Sequence, residues 1–197
     1  MTIKNCIKTK KRYFIRIPKK ITVVHCDRRN FLYFSGPEGV KSLKVSVKVV
    51  LLSDYSVLYV SDAPCNAEVS HYTKKKIRMM RGSVLAGIKQ ILIEISGTLY
   101  QKLNLVGVGY RAFTHEHLPE QVYFKLGFSH LVYFNINPGL SLKINKFTKL
   151  YVYGSGSLEL LTSTVSNIRD CKLPEPYKGK GILYNQEKIT LKKGKKI

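Results

Sequence analysis

Three stretches of this chain alternate apolar and polar residues with a period of two. Leu43, Val45, Val47 and Val49 interleave with Ser42, Lys44, Ser46 and Lys48. Val122, Phe124, Leu126 and Phe128 interleave with Tyr123, Lys125 and Gly127, and Leu140, Leu142 and Ile144 with Ser141, Lys143 and Asn145. Successive side chains of a strand point to opposite faces, so each stretch predicts a strand with one apolar and one wet face. Strands of that kind belong to antiparallel sheets packed on one side. Shorter strand candidates are 13–17, 21–25, 31–35, 57–60, 103–112 and 150–153. Two segments carry helical spacing instead. In 78–95 the apolar residues are Met80, Val84, Leu85, Ile88, Ile91, Leu92 and Ile95; in 158–169 they are Leu158, Leu161, Val165 and Ile168. Ser157 is placed to cap the second helix, Gly97 follows the first, and Pro174 and Pro176 forbid continuation of the second.

The two halves echo each other. Tyr13-Phe14 leads through Pro18 to a strand and then to Leu32-Tyr33-Phe34-Ser35-Gly36. Tyr133-Phe134 leads through Pro138 to a strand and then to Leu150-Tyr151-Val152-Tyr153-Gly154. One helix falls in each half. The expectation is an α+β protein of two similar small domains, each an antiparallel sheet packed on one helix, with basic extensions. The boundaries read as a basic arm over 1–12, a first domain over 13–97, a second over 98–173 and a basic C-terminal extension over 174–197. That last stretch lacks a sustained apolar pattern, so its deletion is expected to leave the body folded.

Charge narrows the function. Thirty-four Lys and Arg face twelve Asp and Glu across 197 residues, a formal net charge of +22. Self-repulsion on that scale implies a polyanionic partner. The charge is clustered: residues 1–29 hold ten cations and the single acid Asp27, and residues 172–196 hold eight lysines with Glu175 and Glu187. Lys74, Lys75, Lys76, Arg78 and Arg81 form a third cluster, whereas 100–171 is nearly neutral. No apolar run approaches a membrane span. Cys6, Cys26, Cys65 and Cys171 are scattered and suggest neither a disulfide framework nor a zinc site.

Catalytic and cofactor motifs fail on inspection. Gly107-Val108-Gly109-Tyr110-Arg111-Ala112 has the spacing of a dinucleotide fingerprint, but that fingerprint needs a helix opening at its third position. Here a loop containing His115-Glu116-His117 and Pro119 follows, leading into the strand at Val122; a glycine-bearing strand approached by another backbone explains the glycines. The His-Glu-His run has no third ligand in view and reads as a solvated hairpin tip. No serine elbow, phosphate loop or paired carboxylates appear. The chain is expected to be no enzyme and to need no cofactor, metal or small-molecule substrate.

The most informative stretch is Leu173-Pro174-Glu175-Pro176-Tyr177-Lys178-Gly179-Lys180-Gly181-Ile182. Two prolines favour an extended path. Gly179 and Gly181 allow close backbone approach to a ligand, Lys178 and Lys180 alternate along one edge, and Tyr177 offers a ring for stacking. A basic, aromatic-bearing finger of this kind suits the backbone of a structured RNA. Lys172, Lys178, Lys180, Lys188, Lys192, Lys193, Lys195 and Lys196 are the candidate phosphate ligands, with Arg111 and His130 as further candidates at loop ends.

These residues carry a family resemblance. Pro174–Ile182 resembles the C-terminal signature of large-subunit ribosomal protein L-six, the universal uL-six family, in its bacterial type. Leu103-Asn104-Leu105-Val106-Gly107-Val108-Gly109-Tyr110-Arg111-Ala112 is similar to that family's other hallmark, Leu126-Gly127-Phe128-Ser129-His130 to a third, and Gly36-Pro37-Glu38-Gly39 to the turn of its first half. Cys171-Lys172-Leu173 stands where the family usually has a basic residue, and Leu131 where it has proline; the match is weak over 54–75. The resemblance implies two similar α+β domains and a non-catalytic component of the large subunit. That component would bind large-subunit rRNA near the sarcin–ricin loop and the translation-factor-binding region, beside neighbouring large-subunit ribosomal proteins. A free-standing single-stranded nucleic-acid binder is the alternative, and would show stacking aromatics on an exposed sheet face.

Composition suggests the compartment. There are thirteen Tyr, no Trp and few Ala, with many Ile, Lys, Asn and Phe, the types with AT-rich codons. Met1–Lys20 is basic and acid-free like a mitochondrial presequence, but it lacks Ser, favours Lys over Arg and overlaps the repeat, so it reads as mature sequence. The expectation is a protein encoded and used inside a mitochondrion, with a plastid or an AT-rich bacterium as alternatives.

Overall fold

A computed structural model describes residues 13–52, 57–65, 74–115, 118 and 120–194. The arm expected over 1–12, the segment 66–73 and the terminal Lys195 and Lys196 lie outside the described residues, as do Glu116 and His117.

The apolar side chains that alternate in sequence become two separate cores. The chain divides into two units after Gly97. In the first unit the described elements are β1 (Phe14–Arg16), β2 (Thr22–Cys26), β3 (Phe31–Gly36), β4 (Gly39–Lys44), β5 (Val47–Leu52), β6 (Val57–Pro64) and α1 (Lys74–Ser96). They form two antiparallel sheets, β2-β3-β4 and β1-β6-β5. The inward residues of both, such as Leu32, Phe34, Leu58 and Val60, meet Val84, Ile88 and Ile95 of α1.

The second unit contains β7 (Leu99–Val106), β8 (Arg111–Thr114), β9 (Gln121–Lys125), β10 (Val132–Asn135), β11 (Leu140–Asn145), β12 (Lys149–Gly154), α2 (Leu158–Asp170) and β13 (Gly181–Tyr184). Its sheets are β8-β9-β10 and β11-β12-β7-β13, all antiparallel. Leu103, Phe124, Leu150 and Val152 pack on Leu161, Val165 and Ile168 of α2. Ser157 caps α2: its side chain accepts a 3.2 Å hydrogen bond from Leu160 N–H. The fold is α+β with two sheet-and-helix units, and each unit folds its strands into two small sheets rather than one.

The duplication is present but in a different phase from the sequence echo. In chain order, β1 to β6 and α1 correspond to β7 to β12 and α2, with identical strand neighbours; β13 is extra. The echo instead sets β1–β3 against β10–β12. Both alignments match because exchanging β1–β3 with β4–β6 maps the pairing pattern of a unit onto itself. A sequence comparison of strands with the same neighbours cannot tell the two phases apart.

Two strand expectations are corrected by long-range pairing. The run 42–49 is not one strand: β4 ends at Lys44 in one sheet and β5 begins at Val47 in the other. Val45 donates its N–H to Asn30 O, and Ser46 O accepts from Cys65, so the chain changes sheet without losing its alternation. The candidate strand 103–112 breaks at Gly107 and Gly109, whose φ values are 155° and 75°. Tyr110 folds back there, and a Cβ on Gly107 would stand 2.8 Å from its ring.

The C-terminal extension is corrected too. Residues 181–184 are a strand of the second unit, paired to β7 with Ile182 opposite Leu105, and Ile182 is fully buried. The apolar signal was too short to register as a pattern, yet two buried side chains suffice when a sheet edge is waiting for them.

Candidate nucleic-acid interface

The glycines and prolines after α2 fold the basic stretch into a closed loop instead of an extended finger. Glu175 N–H donates to Lys180 O at 2.9 Å, and Gly179 N–H donates to Glu175 O at 2.8 Å. Gly179 adopts φ 69°, the left-handed region that glycine enters without strain. Gly181 lets the loop close on itself: a Cβ there would sit 2.6 Å from Pro174 Cα. Ile182 N–H donates to Lys172 O at 2.9 Å, which fastens the base of the loop to the end of α2. Downstream, Lys192 N–H reaches back to Pro176 O at 3.0 Å, so the tail lies against the loop.

This frame sorts the candidate residues. Tyr177 and Lys178 sit exposed at the loop tip, with Lys180 half-buried behind them. Lys188, Lys192 and Lys193 are exposed along the returning tail. Lys172 is half-buried, with its ammonium 4.0 Å above the centre of the Phe128 ring, and His130 stacks on the same ring at 5.6 Å. The loop therefore adjoins the turn after β9, where Gly127 (φ 73°) also approaches Tyr110. Three sequence motifs far apart in the chain, around Gly107, Gly127 and Pro174, meet at one end of the second unit. Phe128 was not among the candidate residues; its place in the Leu126–His130 motif was the available signal. Arg111 is exposed on β8 directly opposite Lys125 of β9.

Of the acids near the loop, Glu175 and Asp170 are exposed, while Glu187 is already paired within the unit. Glu187 is half-buried, 2.6 Å from the Arg169 guanidinium and accepting Tyr184 N–H at 3.1 Å. Burial pushes its carboxyl pKa up, but the Tyr184 hydrogen bond and Arg169 outweigh this and hold it below the usual value. The Arg169 guanidinium also lies over the Tyr184 ring. The first unit behaves differently. Arg81, counted in the 74–81 cluster, is buried: Nε donates to Val60 O at 2.9 Å, Nη2 donates to Tyr59 Oη at 3.3 Å, another nitrogen pairs with Asp62, and the guanidinium lies 3.4 Å from the Tyr13 ring centre. It pins α1 to β6 and is unavailable to a phosphate. No helix is long and apolar enough to cross a membrane, and no cluster of three metal-ligating side chains occurs among the described residues.

These features define a strongly basic protein of two similar α+β units, with exposed cations on a folded loop and returning tail beside α2. Comparison with known proteins makes the class specific. The chain is 32% identical over 182 residues to large ribosomal subunit protein uL6 of Cereibacter sphaeroides, covering 92% of this chain and 95% of that one. It is 33% identical over 185 residues to the uL6 protein of Staphylococcus carnosus (91% and 97% covered) and 32% identical over 181 residues to that of Trichlorobacter lovleyi (92% and 93%). No protein-family model matches the chain. At this identity and coverage, the chain belongs to the uL6 family of large ribosomal subunit proteins.

Proposed function

We propose that this protein is a non-catalytic structural constituent of the large ribosomal subunit that binds large-subunit rRNA through the loop and tail 172–194. It lies near the sarcin–ricin loop and the factor-binding region, with other large-subunit proteins as neighbours and neither membrane nor small-molecule substrate as partner. Lys178, Lys180, Lys188, Lys192 and Lys193 meet phosphates, joined by Lys195 and Lys196 at the terminus; Tyr177 stacks on a base or ribose, and Gly179 and Gly181 shape the loop. Lys172, Arg111 and His130 extend the surface. The relatives named above are bacterial; the AT-type composition supports a mitochondrial ribosome as the site of action.

The observation that carries this reading is the loop itself. Its backbone hydrogen bonds close on themselves and Glu187 is engaged by Arg169, so the exposed Lys178, Lys188, Lys192 and Lys193 face solvent with only Glu175 as an exposed acid within the loop and tail. The test is binding of the full chain to a large-subunit rRNA fragment across salt concentrations. If about six to eight cations neutralise phosphates, the log–log slope is roughly −4 to −7. Lys178→Ala lowers the slope by about one unit, while Tyr177→Ala costs about 1–3 kcal/mol and leaves the slope unchanged. A slope near zero refutes the interface.

A further inference from the structure

The outer face of the β8-β9-β10 sheet carries a row of rings that the loop does not use. Phe113 and Tyr123 are register partners, as are Tyr123 and Tyr133, so the three side chains share a face across the sheet. Their ring centres are 5.1 Å and 6.1 Å apart, and Phe147 extends the row, 5.3 Å from Phe113. The opposite face is the core: Ala112, Val122 and Phe124 are fully buried there. Tyr133 and Phe147 are 58% and 53% exposed, which buries neither ring in the unit's own core. The rings line a groove of about 710 Å³ walled by the turn between β11 and β12.

That turn is held at a conformational cost. Lys146 and Phe147 have φ of 53° and 58°, a left-handed conformation that is a real outlier for a bulky aromatic. Leu105 N–H donates to Thr148 O and Ala112 N–H donates to Phe147 O, bolting the turn to β7 and β8. Strain of this sort persists where surrounding structure over-determines it, and its product here is a fourth ring brought to the row.

Charge says what fits. Lys125 shares the ring-bearing face on one side of the row, next to its register partner Arg111 of the loop's surface, and Lys146 lines the groove. Gln121 and Asn135, also paired, stand on the other side with donors and acceptors for base edges. No acid lines the groove among the described residues. A protein partner would bring charge-depleted apolar area to such a patch. Rings flanked by cations and amides suit bases joined by phosphates, and only unpaired bases have free faces to stack.

We propose that the β8-β9-β10 face is a second RNA site, adjoining the 172–194 loop, that takes unpaired nucleotides by stacking on Tyr133, Tyr123, Phe113 and Phe147. The site goes beyond the reading of the loop and does not depend on it. The full chain is titrated with a fluorescein-labelled RNA of about twelve nucleotides, single-stranded or annealed to its complement. The single strand binds more tightly. Tyr133→Ala and Phe147→Gly each weaken it by about tenfold with little change for the duplex, and Tyr133→Phe restores binding. The exposure of both positions keeps the unit folded, which cooperative melting of both variants confirms, Phe147→Gly also relieving the left-handed strain. The double variant Lys178→Ala/Lys180→Ala keeps the preference for the single strand even as it weakens the rRNA fragment, so failures of the two sites are distinguishable. In purified large subunits, ultraviolet light places a nucleotide adduct on the peptide containing Tyr133. Equal affinity for paired and unpaired RNA, or unchanged single-strand binding by both ring variants, overturns the proposal. So does a Tyr133 peptide cross-linked to protein in place of RNA.

Discussion

Cutting the chain at two points within the basic C-terminal region separates its folding role from its charge. Truncation after Leu173 removes β13. Ile182 is then lost from the core, and Leu183 with it; their exposures are 0% and 9%. Burying an aliphatic side chain of this size contributes about 1.5–3 kcal/mol, so the pair contributes roughly 3–6 kcal/mol. The four-residue ladder with β7 goes too, leaving Leu105 on an uncovered edge. A unit of this size has a stability of about 5–15 kcal/mol, so the shortened second unit is expected to be marginal or unfolded. Truncation after Glu187 keeps β13 and the Arg169–Glu187 pair and removes Lys188, Lys192, Lys193, Lys195 and Lys196. Its structural loss includes the Lys192–Pro176 hydrogen bond, about 1 kcal/mol. Urea unfolding of both truncations, with hydrogen exchange followed by mass spectrometry on residues 98–173, reads the second unit directly. The longer cut should abolish protection there, and the shorter should keep it while lowering the salt slope of RNA binding. If the chain ending at Leu173 retains wild-type protection and urea midpoint, the reasoning about β13 is wrong.

Other outcomes follow from single side chains. Leu161→Asp places an uncompensated carboxylate at a site 1% exposed, costs several kcal/mol and melts the second unit, which near-ultraviolet circular dichroism reports. Arg81→Ala removes charged hydrogen bonds from a buried site and destabilises the first unit by about 2–3 kcal/mol, yet leaves the salt slope of RNA binding unchanged because Arg81 meets no phosphate. The Glu187 carboxyl has a folded pKa below its ordinary value of 4.5, so its ionised form adds stability above that pH and the gain is lost as pH falls through the lower folded value. Glu187→Gln should therefore be less stable than wild type near neutral pH and converge with it in acid, measured by thermal melts across pH.

The sequence by itself determined the α+β class, both helices, the capping serine and most strands, because period and caps are local properties. Leu158, Leu161, Val165 and Ile168 needed no partner to announce a helix face, and the Pro174–Ile182 motif announced the family. The tertiary structure decided what local pattern cannot encode. The run from Leu43 to Val49 alternates without a break, yet its two ends pair with different strands and enter different sheets. Partner choice lies in residues distant in sequence, such as Asn30 and Cys65. Ile182 shows no periodicity of its own; the open edge of β7 made it core. Arg81 reads as surface charge in a run of cations and is buried by Tyr13 and Tyr59. The closed loop around Gly179, with Lys172 seated on Phe128, likewise exists only once three distant segments are brought together. The ring row of Phe113, Tyr123, Tyr133 and Phe147 depends on register across three strands and on one strained turn, which are decided by packing and hydrogen bonding over the whole unit.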